Sequence, residues 1–447
     1  MRVFSAFVLF AGAIVAAPAF GADYGHREDA SRCFDMSLTV DVRIADCTKV
    51  LQAGLLDKKE SLEVVLQLGI SYLEKRDFAH AIPAFNTVIN HSAKVPWQAY
   101  AARGNAYKLM KQNDTALADY NSAVIAAPDN PEPIRIRGLY YNEMRQYAQA
   151  LADLSRAIEL DPKNPLYVSE RAYAYDGLGN HDAAKNDANN AIALDVDNKL
   201  PPSARAFTHF ANDQFDLALS DYSEIIRSAP QVAQNYFNRG TAYMRLKQYD
   251  SAIDDLNTAI SLQPEWELPY LVRAKAFQEK NDLKSALADA NKSIQLNGQD
   301  SVAYWQLGSV EGDMGSDERA IIDADHSKTL DPKFSDALNL ACWERAKLNK
   351  ELDNALIDCN EAIRLRPDFT DALDSRGFVQ FRRGETTLAL TDYEAALKIK
   401  PSLTTSLFMR GVIKTHLGDK SGMDDIAAAE KADPKIAAQY AGYGVKL

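Results

Sequence analysis

An Arg followed by Gly or Ala recurs at Arg103-Gly104, Arg137-Gly138, Arg171-Ala172, Arg205-Ala206, Arg239-Gly240 and Arg273-Ala274, each pair 34 residues after the last. The beat continues at Gly308, slips by one residue, and resumes at Arg376-Gly377 and Arg410-Gly411. Twelve residues after the Gly or Ala of each of the first six pairs stands an Ala: Ala116, Ala150, Ala184, Ala218, Ala252 and Ala286. Pro often closes the unit, at Pro128, Pro162, Pro230, Pro264, Pro332, Pro367, Pro401 and Pro434. A fixed period of this length calls for a linear stack, in which each unit buries its apolar face against its neighbours.

The second unit carries Gly104, Tyr107, Ala116, Tyr120, Ala123 and Pro128, and the third Gly138, Tyr141, Ala150, Leu154, Ala157 and Pro162. This spacing resembles the tetratricopeptide repeat (TPR) family, whose unit has Gly or Ala at position 8, Tyr at 11, Ala at 20, an aromatic at 24, Ala at 27 and Pro at 32. Eleven units start near Leu62, Trp97, Pro131, Pro165, Lys199, Ala233, Glu267, Ser301, Asp336, Thr370 and Thr404, covering about five-sixths of the chain. The resemblance implies an all-α, right-handed superhelical solenoid of about eleven helix hairpins. A helical cap would precede it over 22–61. Repeats 1–7 would fill 62–300, repeats 8–11 would fill 301–435, and a short capping tail would follow over 436–447.

Each unit reads as a hairpin of helices A and B. Asn130-Pro131 and Asn164-Pro165 put a capping side chain before a Pro at the first helical position. Pro at position 32 ends helix B. Ordering one unit costs on the order of 50 kcal/mol, at about 1.5 kcal/mol per residue. Offsetting that takes roughly 2,000 Å² of apolar burial, more than a lone hairpin supplies. Position 23 is Asp in ten units: Asp119, Asp153, Asp187, Asp221, Asp255, Asp289, Asp323, Asp358, Asp392 and, allowing a one-residue deletion, Asp425. Eight of those units also have Arg at position 7, and the first unit lacks both. This co-occurrence predicts an ion pair inside each unit, repeated as a ladder. Units eight and nine break it with Leu307 and Cys342. Together with Asn297-Gly298, Gly308, Gly312, Gly315 and the one-residue slip, this marks 297–336 as either a soft joint or a degenerate stretch with ordinary stacking.

Residues 1–21 have the form of a secretory signal peptide: Arg2, an apolar run from Val3 to Ala17, and Ala19-Phe20-Gly21 before a cut at Ala22. The expected location is therefore periplasmic or secreted. No other segment is apolar for long enough to cross a bilayer, so no stable membrane insertion of the mature chain is expected. With 62 acidic and 50 basic residues the formal charge is −12. This disfavours nucleic-acid binding, which needs basic surface to displace counterions. Cys33 and Cys47 precede the first repeat, and Cys342 and Cys359 fall on the two helices of the ninth. Each pair is a disulfide candidate in an oxidising compartment. The alternative is small buried apolar residues.

No catalytic motif appears: there is no HExxH, GxSxG or GxxxxGK[ST]. The seven His lack metal-ligand spacing, and His209 takes the position-11 slot, which gives it a packing role. No catalytic, metal or cofactor residue is expected, and fewer than 45 mature residues before the first repeat leave no room for an enzyme domain. That leaves binding. In the TPR family, helices A line a concave groove through positions 2, 5, 9, 12 and 13. Here those positions carry Asn105, Lys108 and Arg135, then Tyr173, Phe207, Phe210, Phe237 and Met244, then Trp305, then Phe378, Phe381 and Phe408. The aromatics read either as a partner groove or as packing buried by the curvature of the stack. The resemblance implies a periplasmic scaffold that binds a peptide or helix of another protein, with self-association as a further possibility. The alternative is a scaffold component of an envelope polysaccharide-export or cell-wall assembly complex. The repeats look similar to those of exported Gram-negative, alphaproteobacterial-like TPR proteins.

Overall fold

The computed structural model describes residues 28–54, 56–196 and 200–446; the signal-like stretch 1–21 lies outside them. The described residues are helices and turns, in two compact units that divide at Pro230/Gln231. The first unit opens with helices Glu28–Cys33 and Val40–Ala53 and continues with five hairpins. Their A and B helices are Lys58–Glu74 and Phe78–His91, Trp97–Leu109 and Asn113–Ala126, Pro131–Glu143 and Tyr147–Leu160, Pro165–Gly177 and His181–Leu194, and Pro202–Ala211 and Phe215–Ser228. The second unit holds six more. They are Ala233–Arg245 and Tyr249–Leu262, Glu267–Glu279 and Leu283–Leu296, Ser301–Asp313 and Asp317–Leu330, Ser335–Leu348 and Leu352–Leu365, Thr370–Arg382 and Thr386–Ile399, and Thr404–His416 and Gly422–Ala432. Helix Ile436–Gly442 ends it. We number the hairpins as repeats 1–11; within each unit they stack in chain order, as the period predicts.

Local chemistry sets the helix ends. The Asn130 side chain accepts from the Glu132 N–H at 3.0 Å and Asn164 from Leu166 at 3.1 Å, each just ahead of a Pro. Asp57 and Glu60 form a reciprocal capping box that starts helix A of repeat 1 at Lys58, four residues before the expected Leu62. Between A and B the chain turns through a left-handed residue, a Gly at Gly179, Gly315, Gly384 and Gly418 and a residue with a side chain elsewhere, such as Arg145 or Lys247; repeat 9 uses two, Asn349 and Glu351.

Position 8 must be small because the two helices of a hairpin nearly touch there. A Cβ on Gly138 would sit 3.0 Å from Leu154 Cγ, and one on Gly104 3.0 Å from Tyr120. The facing Ala116, Ala150, Ala218 and Ala252 are fully buried.

The expected soft joint lies wholly inside the second unit. Two of its glycines serve close approach: a Cβ on Gly308 would sit 3.0 Å from the Ala320 carbonyl oxygen and one on Gly312 2.6 Å from Glu344 Oε1. Lys347 bonds Asp317 at 2.8 Å, Lys328 bonds Asp358 at 2.8 Å, and Arg345 bonds Asp325 at 2.7 Å, all between repeats 8 and 9. Both cysteine pairs are bonded, Cys33 to Cys47 and Cys342 to Cys359, with Sγ–Sγ distances of 2.02 and 2.01 Å.

Candidate functional site

The ladder forms in all eight repeats that carry both residues. Arg103–Asp119, Arg137–Asp153, Arg171–Asp187, Arg205–Asp221, Arg239–Asp255, Arg273–Asp289, Arg376–Asp392 and Arg410–Asp425 pair within their own repeats at 2.6–2.7 Å. Most are two-bond forks, as in Arg137, whose Nε and Nη2 donate to the two oxygens of Asp153. Repeat 5 differs. His209 Nδ1 lies 2.7 Å from Asp221 Oδ2, so Arg205 reaches only the other oxygen and sends Nη2 to Glu224. His209 therefore joins a rung as well as packing.

A third member of the rung was not anticipated. Arg137 Nη1 donates to Asn121 of the preceding repeat at 2.9 Å, Arg103 does so to Asn86 at 2.6 Å, and Arg376 to Asn360 at 2.8 Å. Asn86, Asn121, Asn257 and Asn360 share one register, position 25, so the sequence does carry this signal. Each such Arg bonds two hairpins together. Where Arg is replaced by Leu307, Asp323 instead faces Glu311, and burial pushes both carboxyls up. Where it is replaced by Cys342, Lys328 and Arg345 take over Asp358.

The expected groove residues lie mostly inside the stack. Tyr173, Phe207, Phe210, Phe237, Phe378 and Phe408 are all buried. Of the two alternatives left open for the aromatics, packing describes these six. Tyr173 meets Phe207 at 5.4 Å between ring centres, and Phe237 meets Trp266 at 4.6 Å. Adjacent A helices come close enough to enclose rings at these positions. Met244, Trp305 and Phe381 are half-buried. Trp305 packs on Phe334 at 5.7 Å.

The run Phe378–Phe381–Phe408 is covered by the chain itself. Tyr440 of the final helix lies 5.3 Å from Phe408 and 5.5 Å from Phe378, and Tyr443 lies 5.9 Å from Trp343. Arg382 donates to the Tyr443 carbonyl. The tail occupies the A-helix face of repeats 9–11.

The polar members of the site gather in the first unit. Asn105 accepts from the Tyr120 hydroxyl at 2.7 Å, and Lys108 pairs with Glu143 at 2.7 Å. Arg135, 4% exposed, lies between Glu132 and Glu170, at 3.1 and 2.7 Å. Tyr167 donates to the other oxygen of Glu132 at 2.6 Å. Burial pushes Glu170 up to about 7, against the pull of Arg135. Glu170 Oε2 and Asn142 Oδ1 are buried without a hydrogen-bond partner. The residues Asn142 and Glu170 line a cavity of about 20 Å³, partly open to solvent, whose wall is apolar and includes Leu139, Tyr173 and Phe207. Asn142, Glu143 and Glu170 at this pocket were not singled out from sequence. Among the described residues no cluster of three His, Cys, Asp or Glu is placed to hold a metal, and no helix is long and apolar enough to cross a membrane.

Family models described as tetratricopeptide repeat match residues 66–131, 137–200 and 233–265. No curated protein matches the chain. Among solved structures it is similar to the APC/C hetero-tetramer Cut9-Hcn1, with 15% identity over 90% of this chain and 95% of that one and a TM-score of 0.49. It is also similar to YrrB, described as a TPR protein with an unusual peptide-binding site, with 19% identity over 42% of this chain and 97% of that one and a TM-score of 0.32. For the MamA protein the values are 20% identity, 38% and 92% coverage, and a TM-score of 0.33. The three matched segments carry tetratricopeptide-repeat sequence, and within each unit the described residues around them fold as successive helix hairpins of similar length.

Proposed function

We propose that the protein is a non-enzymatic scaffold that takes a segment of another protein along the A helices of repeats 2–5. One observation carries this reading: the partly open, apolar-walled pocket between the A helices of repeats 3, 4 and 5. The corresponding face of repeats 9–11 is already filled by the final helix. The scaffold is exported to the periplasm or beyond, a reading supported by the signal-like residues 1–21 and by two bonded cysteine pairs. The likeness to exported alphaproteobacterial-type TPR proteins belongs to the same reading.

In-cell photocrosslinking tests it. Phe207 is too buried to report, so the reactive residue replaces Leu139 at the pocket rim, and in a control Ile125, which is 79% exposed on helix B of repeat 2. One protein captured from Leu139 and not from Ile125, and then shown to bind in pure form, is the expected result. Equal capture from both positions, or capture of this chain alone, overturns the groove. A captured component of polysaccharide export or cell-wall synthesis would place the scaffold in an envelope assembly complex.

A further inference from the structure

A cover for the last hairpin need touch only repeat 11, but the final helix reaches further. It runs back over the A helices of three repeats. Tyr440 meets Phe408 of repeat 11 and Phe378 of repeat 10, and Tyr443 meets Trp343 of repeat 9. Ile436 and Tyr440 are each 1% exposed. With Tyr443 they stand at i, i+4 and i+7, one face of a helix. Gly444, at φ +83°, reverses the chain, and the Val445 N–H returns to the Tyr440 carbonyl at 2.9 Å. The repeats meet this helix end with cations. Arg382 donates to the Tyr443 carbonyl, and Lys347 Nζ stands 5.8 Å from the Tyr443 ring centre. The hold is ring packing and a backbone carbonyl; among the described residues no ion pair ties 436–446 to the repeats. A helix of seven residues is too short to persist in water once it leaves this seat.

We propose that the A-helix face of repeats 9–11 is a second partner groove, that residues 434–446 keep it shut as a tethered ligand, and that it opens to a short helix of another protein. The seat of the tail specifies that helix: an aliphatic residue at i, aromatics at i+4 and i+7, and a left-handed turn after the second aromatic that leaves a carbonyl to Arg382. Only Asp433, Pro434 and Lys435 join the tail to helix Gly422–Ala432, so its local concentration is high and an incoming helix must compete with it. A second copy offers the same tail, already seated in its own groove with that advantage, so the occupant is a foreign segment. The inference rests on the reading of the A helices as the partner face, and not on the pocket of repeats 3–5.

The probe is a fluorescent peptide of residues 434–447, followed by anisotropy on the full chain. Tyr440→Ala in the chain loosens the tail and leaves the groove residues in place, so this variant should bind the peptide at least tenfold tighter than the native chain does. A peptide with the same Tyr440→Ala change should bind neither. Hydrogen exchange on the native chain is the second arm. Excess peptide should speed exchange of the tail amides 439–445 several-fold and leave helix Thr404–His416 unchanged, because the groove stays covered. If the chain variant unfolds, this arm decides alone. Equal peptide affinity of the native and the folded Tyr440→Ala chains overturns the inference, as does tail exchange that excess peptide leaves unchanged. Native-chain dimers that excess peptide dissolves would make a second copy the occupant and overturn the foreign one. Failure here, with specific capture from Leu139 intact, leaves the groove of repeats 2–5 standing. Peptide binding without that capture removes that groove and keeps repeats 9–11 as the partner surface.

Discussion

The smallest repeated device is the guanidinium at position 7. In the rungs its side chain is 17–25% exposed and the Asp partner 5–14%. Removing one partner at this depth strands a charge, which costs more than the pair contributes. Asp153→Ala should lower the local opening free energy of helix Tyr147–Leu160 by about 2–3 kcal/mol. Adding Arg137→Met should restore part of it. Hydrogen exchange on the single and double variants measures both, and a double variant worse than Asp153→Ala would refute the ladder's energetics. A different outcome follows where the rung is missing. Burial holds a proton on the Glu311–Asp323 pair that the unfolded chain releases at an ordinary carboxyl pKa. The folded state then binds more protons, so this contribution is full in acid and is lost as pH rises from about 4.5 to about 7. Glu311→Gln, which keeps a donor toward Asp323 at every pH, should flatten the fall in stability between pH 5 and 8. Urea midpoints across that range check it, and an unchanged slope assigns the pH dependence elsewhere. The pairing of positions 7 and 23 was legible because both residues vanish together in repeat 1. The Asn at position 25 was not read, because Ser155 and Asp325 interrupt its register and a lone polar residue on helix B looks like a solvated face.

At the scale of helices and turns, the period located most helix starts to the residue, since Pro131, Pro165, Ala233, Glu267, Ser301, Thr370 and Thr404 all begin A helices. The outliers have local causes. Repeat 1 starts early because Asp57 and Glu60 cap it there, and repeat 5 starts at Pro202, leaving a 10-residue helix. What periodicity could not supply is depth. Register assigns Phe207 or Phe378 to the A-helix face, but the spacing of neighbouring A helices decides whether that face is open. The turns carry their own prediction. Lys247 is exposed and holds φ +58°, a left-handed geometry that costs a side-chain-bearing residue energy and a glycine none. Lys247→Gly should stabilise helices Ala233–Arg245 and Tyr249–Leu262 by about 1 kcal/mol, read as slower hydrogen exchange. No change would mean that the gain in unfolded-chain entropy cancels the relief of strain.

Across the whole molecule, stability is a sum of neighbour contacts, so the ends need covers. The cover at the finish is aromatic: Tyr440 and Ile436 are 1% exposed against the last A helices. Deleting residues 434–447 should bare Phe378 and Phe408, raise binding of a hydrophobic dye, and drive self-association visible by light scattering. A truncated chain that stays monomeric and dye-silent would show that the tail adds little. The rung carries one further consequence. Each linking Arg reaches forward to an Asp of its own unit and back to a residue at a constant register in the unit before. A gene segment 34 codons long, copied or excised anywhere within repeats 2–4 or between repeats 6 and 7, thus brings matching chemistry at its splice. Such a chain can change its length without inventing an interface. Repeats 8 and 9 fall outside this scheme, because Leu307 and Cys342 replace the Arg and the Lys328–Asp358 bridge joins these two repeats instead. They form a non-interchangeable link in an array where the links of repeats 2–4 and of 6 to 7 can be copied.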